Sequence, residues 1–103
     1  MPRIDLDKPA TLATVNGVLR SLGFTEEEVE FVRGTGDGYC YIVGTLIRGV
    51  EGGFYGSGSS VRRRTTREWV TDALLKLTFA AEWLCEDEFT ARVARARAEF
   101  AAL

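Results

Sequence analysis

Few residues in this sequence could do chemistry. The chain of 103 residues contains no histidine, which removes the usual general base and the commonest zinc ligand. Asp37, between two glycines, and Glu51, before a glycine pair, are the carboxylates that the pattern places in loops. Neither has a base or a metal-ligating residue in a recognisable spacing. The sequence therefore predicts no catalytic residue, no cofactor site and no metal site.

Residues 34–38, with the sequence GTGDG, invite comparison with phosphate-binding loops. Nucleotide-binding glycine loops follow a strand and lead directly into a helix, whose first N–H groups meet the phosphate. Here the following residues, 39–43, are aromatic and β-branched, which is typical of a second strand. The glycines therefore predict the turn of a β-hairpin.

The densest positive charge is a cluster of four arginines, Arg62, Arg63, Arg64 and Arg67. Such a cluster can bind phosphates, which makes a small nucleic-acid-binding accessory or regulatory protein one interpretation. Glu68 and Asp72 follow within two helical turns and the net charge is −2, so strand-edge arginines that discourage edge pairing are the other interpretation.

Two further charged groups are expected to lie in solvent. The run Glu26, Glu27 and Glu28 is typical of a solvated surface, although Thr25 and Glu28 have the spacing of a capping box. Three arginines near the end of the chain do not share a helical face and are also expected to be solvated. They are Arg92, Arg95 and Arg97.

The composition is that of one ordinary globular domain over residues 1–103, with 46% hydrophobic and 27% charged residues. No apolar run approaches the roughly 20 residues that span a bilayer, and residues 1–8 lack the apolar core of a signal peptide. We therefore expect a cytoplasmic protein. In that compartment Cys40 and Cys85 are expected to be reduced and buried.

The elements predict an α+β fold, in which a small antiparallel β-meander of two or three strands packs against an N-terminal helix and a long C-terminal helical segment. Apolar spacings of three and four predict the first helix over about 9–22, with Asp7 as N-cap and Gly23 as left-handed C-cap. The hairpin is predicted over about 29–47. Residues 48–63 are rich in glycine and predict a loop or a third strand.

Two faces of the hairpin follow from the alternation of its residues. Val29 and Phe31 point to the same side of the first strand, and Tyr39 and Tyr41 to the same side of the second. One of the two faces of the sheet should be buried under the helices.

Residues 66–103 contain no glycine or proline and predict helix, which begins at a capping box from Thr65 to Glu68. The apolar stripe after residue 89 lies about 120° from the earlier one, which predicts a break near 85–89. If the chain turns there, the last helix covers a second apolar stripe; if it continues straight, that stripe is a homodimer or partner interface. The stripe is Leu75, Phe79 and Trp83.

Three segments follow one another along the chain: a helix ending at Gly23, the sequence VRG followed by GYCY within residues 32–41, and REWV at 67–70. In the order of these segments the chain resembles small proteins encoded by phages and other bacterial mobile elements. Anti-CRISPR proteins are a prominent class among these. The resemblance covers about residues 11–80, and the helical tail after Leu84 departs from it.

The resemblance implies a non-enzymatic inhibitor that binds and occludes a host protein or ribonucleoprotein defence complex in the bacterial cytoplasm. It implies that the contact surface combines exposed aromatics of the glycine-rich segment with the arginine cluster. These residues are Phe54, Tyr55, Arg62, Arg63, Arg64 and Arg67.

Overall fold

The computed structural model describes residues 5–33, 39–47, 54–57 and 64–103. Over these residues the chain has the α+β fold predicted from the sequence, with helices from both ends of the chain and a small antiparallel sheet between them. The elements in chain order are α1 (Leu12–Ser21), β1 (Glu30–Arg33), β2 (Tyr39–Val43), a 3-10 turn (Thr45–Ile47), β3 (Phe54–Ser57), α2 (Thr66–Leu84) and α3 (Asp87–Ala101).

The sheet is an antiparallel meander in the order β1-β2-β3. Phe31 lies opposite Ile42 in the register of β1 and β2, and both side chains are fully buried, as is Val29. The expectation that Val29 and Phe31 share one face is therefore confirmed, and the structure shows that this face is buried. The ring of Phe31 meets the ring of Trp69 edge-on, with 5.0 Å between centroids, so aromatic packing joins the sheet to α2.

The free edge of β1 is covered by one side chain of α1. Asn16 donates from its amide nitrogen to the carbonyl of Phe31 (3.0 Å) and accepts from the N–H of Phe31 (2.8 Å). A primary amide offers a donor and an acceptor side by side, as a neighbouring strand does. The backbone N–H and carbonyl of Phe31, at the edge of the sheet, thereby have hydrogen-bond partners without another strand.

The N-terminus of α1 differs from the prediction. Thr11, and not Asp7, is the N-cap, in a reciprocal capping box with Thr14. Asp7 lies outside the helix and pairs with Arg67 instead. The reason is that residues 8–10 are extended and hydrogen-bonded to residues 64–66, with an isolated bridge between Pro9 and Thr65, so the helix cannot begin before Thr11.

The C-terminus of α1 follows the prediction. Gly23 has φ of +98°, and the N–H of Phe24 reaches back to the carbonyl of Leu19 at 3.1 Å. Phe24 packs into the core behind this left-handed turn. Thr25 and Glu28 then close a capping box over one further turn of the chain.

The C-terminal helical segment is broken at Cys85. The capping box between Thr65 and Glu68 starts α2 as predicted, and α2 ends where Cys85 takes the left-handed conformation, with φ of +54°. The chain turns there, so the alternative of one straight helix is wrong. The helix α3 folds back against α2 and buries one stripe, Phe89, Val93, Ala96 and Phe100.

The break between α2 and α3 exposes one of the two cysteines. Cys85 is free and exposed at the corner between α2 and α3, so the prediction that it is buried is wrong. The side chain of Cys40 lies outside what the structure describes. None of the helices in the described ranges is long and apolar enough to cross a bilayer.

Candidate functional site

Three of the large hydrophobic side chains exposed on the described surface form a row on α2. Leu75, Phe79 and Trp83 are 46%, 50% and 75% exposed, and they are spaced by four residues. We call them the α2 apolar stripe. The expectation that a folded-back last helix would cover this stripe is wrong, because the helix does fold back and the stripe stays exposed.

The geometry of α2 explains why the stripe is uncovered. At about 100° per residue, the stripe lies on the side of the helix opposite Leu77 and Ala73, which are completely buried. The helix α2 packs against α1, the 3-10 turn and α3, and Trp69 contacts Phe31 of the sheet. No described element lies over the stripe. Its three side chains span about 12 Å along a rigid helix, which is the form of an interface anchor.

Acidic side chains surround the end of the stripe. Trp83 lies next to the corner between α2 and α3, and four carboxylates within seven residues are exposed there. We call this group the acidic corner; it comprises Glu82, Glu86, Asp87 and Glu88. Asp87 and Glu88 also lie in the first turn of α3, where negative side chains interact favourably with the helix dipole and stabilise the helix. The corner therefore combines a large exposed aromatic ring with a negative potential.

The described part of the arginine cluster is paired with carboxylates. Arg64 contacts Asp72 at 2.7 Å and Glu68 at 3.7 Å. Arg67 contacts Asp7 at 3.0 Å, and its hydrogen bond holds the pKa of Asp7 below the usual value. The positive charge of Arg64 and Arg67, the two described members of the cluster, is thus balanced by carboxylates of the same chain.

The other residues predicted to form the contact surface are described in part or not at all. Phe54 and Tyr55 lie in β3, with Phe54 opposite Tyr41, and their side chains lie outside the description. The described residues also exclude Arg62, Arg63, Glu51 and the predicted turn at 34–38 with Asp37. Their proposed contacts remain predictions.

The arginines and the stripe occupy different parts of α2. Arg64 precedes the first turn of this helix, whereas Trp83 lies in its last turn. A helix of 19 residues is about 28 Å long. The predicted arginine surface and the most exposed aromatic ring therefore cannot contact the same small group on a partner.

Sequence reasoning missed the strongest ion pair of the described surface. Arg92 on α3 donates to both carboxylate oxygens of Glu28, at 2.6 and 2.9 Å, and also to the carbonyl of Gly23 at 3.1 Å. Its guanidinium lies 5.3 Å from the ring centroid of Phe24. The expectation that Glu28 and Arg92 are solvated is wrong for both.

This pair fixes the position of α3. The hydrogen bonds from Arg92 lower the pKa of Glu28 to about 2, against the opposing effect of burial. A bidentate arginine–carboxylate pair specifies orientation as well as adding energy. It ties α3 to the turn after α1. The one hint in the sequence was the capping box, which orders Glu28.

No group of three histidine, cysteine, aspartate or glutamate side chains within the described ranges is arranged to hold a metal ion. Comparison of the chain with models of protein families, with curated proteins and with solved structures finds no match.

Proposed function

We propose that this protein is a non-enzymatic inhibitor, of the anti-CRISPR type, that binds a defence complex in the cytoplasm of a bacterial host and occludes part of its surface. The observation that carries the proposal is the α2 apolar stripe, with exposures of 46%, 50% and 75% on one rigid helix face. The resemblance to small phage proteins supplies the class of partner.

The stripe has the properties of an anchor for protein binding. Burying apolar surface gains about 25 cal/mol per Å², and interface energy concentrates in a few aromatic side chains near the centre of the contact. Phe79 and Trp83 are held on a helix whose other side is fixed in the core. Little conformational entropy is therefore lost when they enter a pocket of a partner.

The charge around the stripe selects a basic partner surface. The acidic corner lies next to Trp83, and complementary potentials favour both encounter and specificity. Surfaces that hold a guide RNA or a DNA target are basic, because they must neutralise phosphates. If Trp83 and the acidic corner cover such a surface, the nucleic acid cannot bind there, and the inhibition needs no enzymatic activity.

A homodimer through the same stripe is the other occupant to test. Two parallel copies would bring one acidic corner against the other, which costs binding energy. Two antiparallel copies centred on Phe79 would instead place Lys76 opposite Glu82 of the second copy, which are opposite charges.

The alternative function, nucleic-acid binding through Arg62 to Arg67, is less well supported. Both described arginines of this group are paired with carboxylates, so phosphate would have to displace those partners. Nucleic-acid binding predicts a gel shift that weakens steeply with salt and is lost when the cluster is changed to alanine. The inhibitor predicts no shift of bare DNA or RNA.

The test is protection of a phage in bacteria with active CRISPR systems. The wild-type chain is expressed in a panel of strains, each targeting the infecting phage, and the efficiency of plating is measured. We expect protection in at least one strain and its loss with Phe79→Ser or Trp83→Ser. Leu103→Ser is the matched control, because Leu103 is also exposed, at 62%, but lies off the stripe.

Two results would contradict the proposal. One is no protection by the wild-type chain in any strain. The other is full protection by both stripe variants, which would show that inhibition does not use the α2 apolar stripe. Circular dichroism of each purified variant establishes that the fold is kept, and exposed substitutions of this kind are not expected to disturb it.

A further inference from the structure

A groove of about 660 Å³ runs between α2 and α3, near the N-terminal half of α2. Leu74 and Leu75 contribute its apolar wall from α2, and small side chains contribute the wall from α3. The latter are Ala94, Ala98 and Ala101, which are exposed. Small residues let a backbone approach closely, so the groove can accept more than isolated side chains.

Two arginines line this groove, and they differ in their partners. Arg67 is paired with Asp7 at 3.0 Å. Arg97 is exposed and makes no ion pair or hydrogen bond with any residue in the described ranges. The charge that the groove offers to a ligand is therefore mainly that of Arg97. An arginine fork recognises a carboxylate in a bidentate geometry.

The charges on α3 are distributed unevenly around the helix. The flank that borders the groove carries Arg97 among alanines, whereas Arg95 and Glu99 lie on the opposite flank. Among the described residues that line it, the groove is thus an apolar channel with one unpaired cation, in a chain whose net charge is −2. This local polarity is opposite to that of the acidic corner at the other end of α2.

We propose that the groove holds a helix of the partner protein, which lays an apolar stripe between α2 and α3 and presents an aspartate or glutamate to Arg97. This inference rests on the proposed function, because it assumes a protein partner. The alanine row from residue 94 to residue 101 is about 10 Å long, which matches two turns of a helix. Docking an amphipathic helix into an apolar groove is a recurrent mode of recognition.

The proposal also predicts how the partner is oriented. Basic side chains of the partner face the acidic corner, and acidic ones face Arg97, so opposite ends of α2 meet opposite charges. Leu75 belongs both to the stripe and to the groove wall. The two contacts therefore form one continuous surface, and a partner that binds in the reverse direction would meet like charges.

The experiment is a selection from a display library of helical peptides, built on one scaffold with a randomised face. The purified wild-type chain selects binders, and binders that also bind the Ala98→Trp variant are removed, because the indole fills the groove. We expect the remaining peptides to be apolar on one face and to carry Asp or Glu. Their affinity for Arg97→Glu, measured by fluorescence anisotropy, should fall by about tenfold or more.

Arg95→Glu is the matched control, because it makes the same charge change two residues away on the other flank of α3, and it should leave the affinity unchanged. The inference is overturned if no selected peptide depends on Ala98, or if the dependent peptides are neutral or basic. It is also overturned if both arginine variants weaken binding equally, which would indicate long-range attraction only.

The two proposals fail separately. The selection uses only the isolated chain and does not involve Phe79, Trp83 or a host. If the stripe variants abolish phage protection but the selection fails, the proposed function stands and the groove is not its helix site. If the selection succeeds without phage protection, the chain binds acidic helices and the inhibitor proposal falls.

Discussion

At the scale of single residues, the pair of Glu28 and Arg92 shows what the sequence could not reveal. The two residues are 64 positions apart, and each belongs to a run of similar charges that is usually solvated. The capping-box spacing from Thr25 distinguishes Glu28 from Glu26, but no local pattern identifies Arg92 as its partner, because the two residues meet only when α3 folds back. The capping boxes, by contrast, join residues three apart, and those at Thr65 and Thr25 could be predicted from residue types alone.

The pair predicts a pH dependence of stability. The pKa of Glu28 is lowered from 4.5 to about 2 in the folded chain by its hydrogen bonds with Arg92. Its contribution is therefore complete above pH 4.5 and is lost as the pH falls toward 2. Since water still reaches both side chains, we expect Glu28→Gln to lower the free energy of unfolding by about 1–2 kcal/mol at pH 7.

Urea denaturation at several pH values between 7 and 2 checks this expectation. The difference between the wild-type chain and Glu28→Gln should shrink as the pH falls through that range. Glu27→Gln is the control, because Glu27 is the exposed neighbour of Glu28, and its substitution should have little effect. A constant difference between wild type and Glu28→Gln down to pH 2 would argue against the pair.

Asn16 provides a second prediction at this scale. Its amide makes two hydrogen bonds with the backbone of Phe31, so Asn16→Ala should lower the free energy of unfolding by about 1–3 kcal/mol. Asn16→Asp should cost at least as much, because a carboxylate repels the Phe31 carbonyl oxygen. Chemical denaturation measures the free energy of unfolding of both variants.

The control is the reverse exchange at an exposed interior position of another helix, Ala91→Asn in α3. It measures the difference in helix propensity between alanine and asparagine, which we expect to cost about 0.5 kcal/mol. At residue 16 that difference favours alanine, so any loss of stability in Asn16→Ala comes from the lost hydrogen bonds. Wild-type stability in Asn16→Asp would refute the strand-like role of Asn16.

At the scale of elements, the sequence was informative where the signal is local. Period-2 alternation predicted that Val29 and Phe31 share a face, and the left-handed end of α1 at Gly23 followed from its residue type. The beginning of α1 was missed, because the pairing of residues 8–10 with 64–66 is a tertiary constraint. Gly44 also needed the structure: its φ is +145°, and a Cβ there would overlap the carbonyl of Glu28.

The corner between α2 and α3 gives a prediction about element boundaries. Cys85 is in the left-handed region with φ of +54°, where a side chain costs energy that glycine avoids. We therefore expect Cys85→Gly to raise the free energy of unfolding by about 0.5–1 kcal/mol. Cys85→Ala keeps the Cβ and should give no such gain.

Thermal or urea denaturation under reducing conditions compares the three chains without thiol oxidation. A gain of equal size in Cys85→Gly and Cys85→Ala would mean that loss of the thiol, and not relief of the backbone, is responsible. A loss of stability in Cys85→Gly would indicate that this residue does not end α2 in the left-handed conformation.

At the scale of the whole molecule, the fold buries one side of α2 and leaves apolar side chains exposed on its other side. The sequence predicted that Leu75, Phe79 and Trp83 needed a contact, and it offered α3 or another chain. It could not decide between them, because the direction of α3 after Cys85 depends on packing and on the pair of Glu28 and Arg92. The structure places α3 elsewhere, which leaves the stripe to a partner in our proposal.

The most direct test of this account is acrylamide quenching of tryptophan fluorescence in the free protein, at dilute and at high concentration. Trp69 is fully buried and Trp83 is 75% exposed, so we predict one accessible and one protected component at both concentrations, with the accessible component absent in Trp83→Phe. Protection of both tryptophans in the dilute protein would contradict an exposed stripe. Protection that appears only at high concentration would mean that the stripe pairs with a second copy.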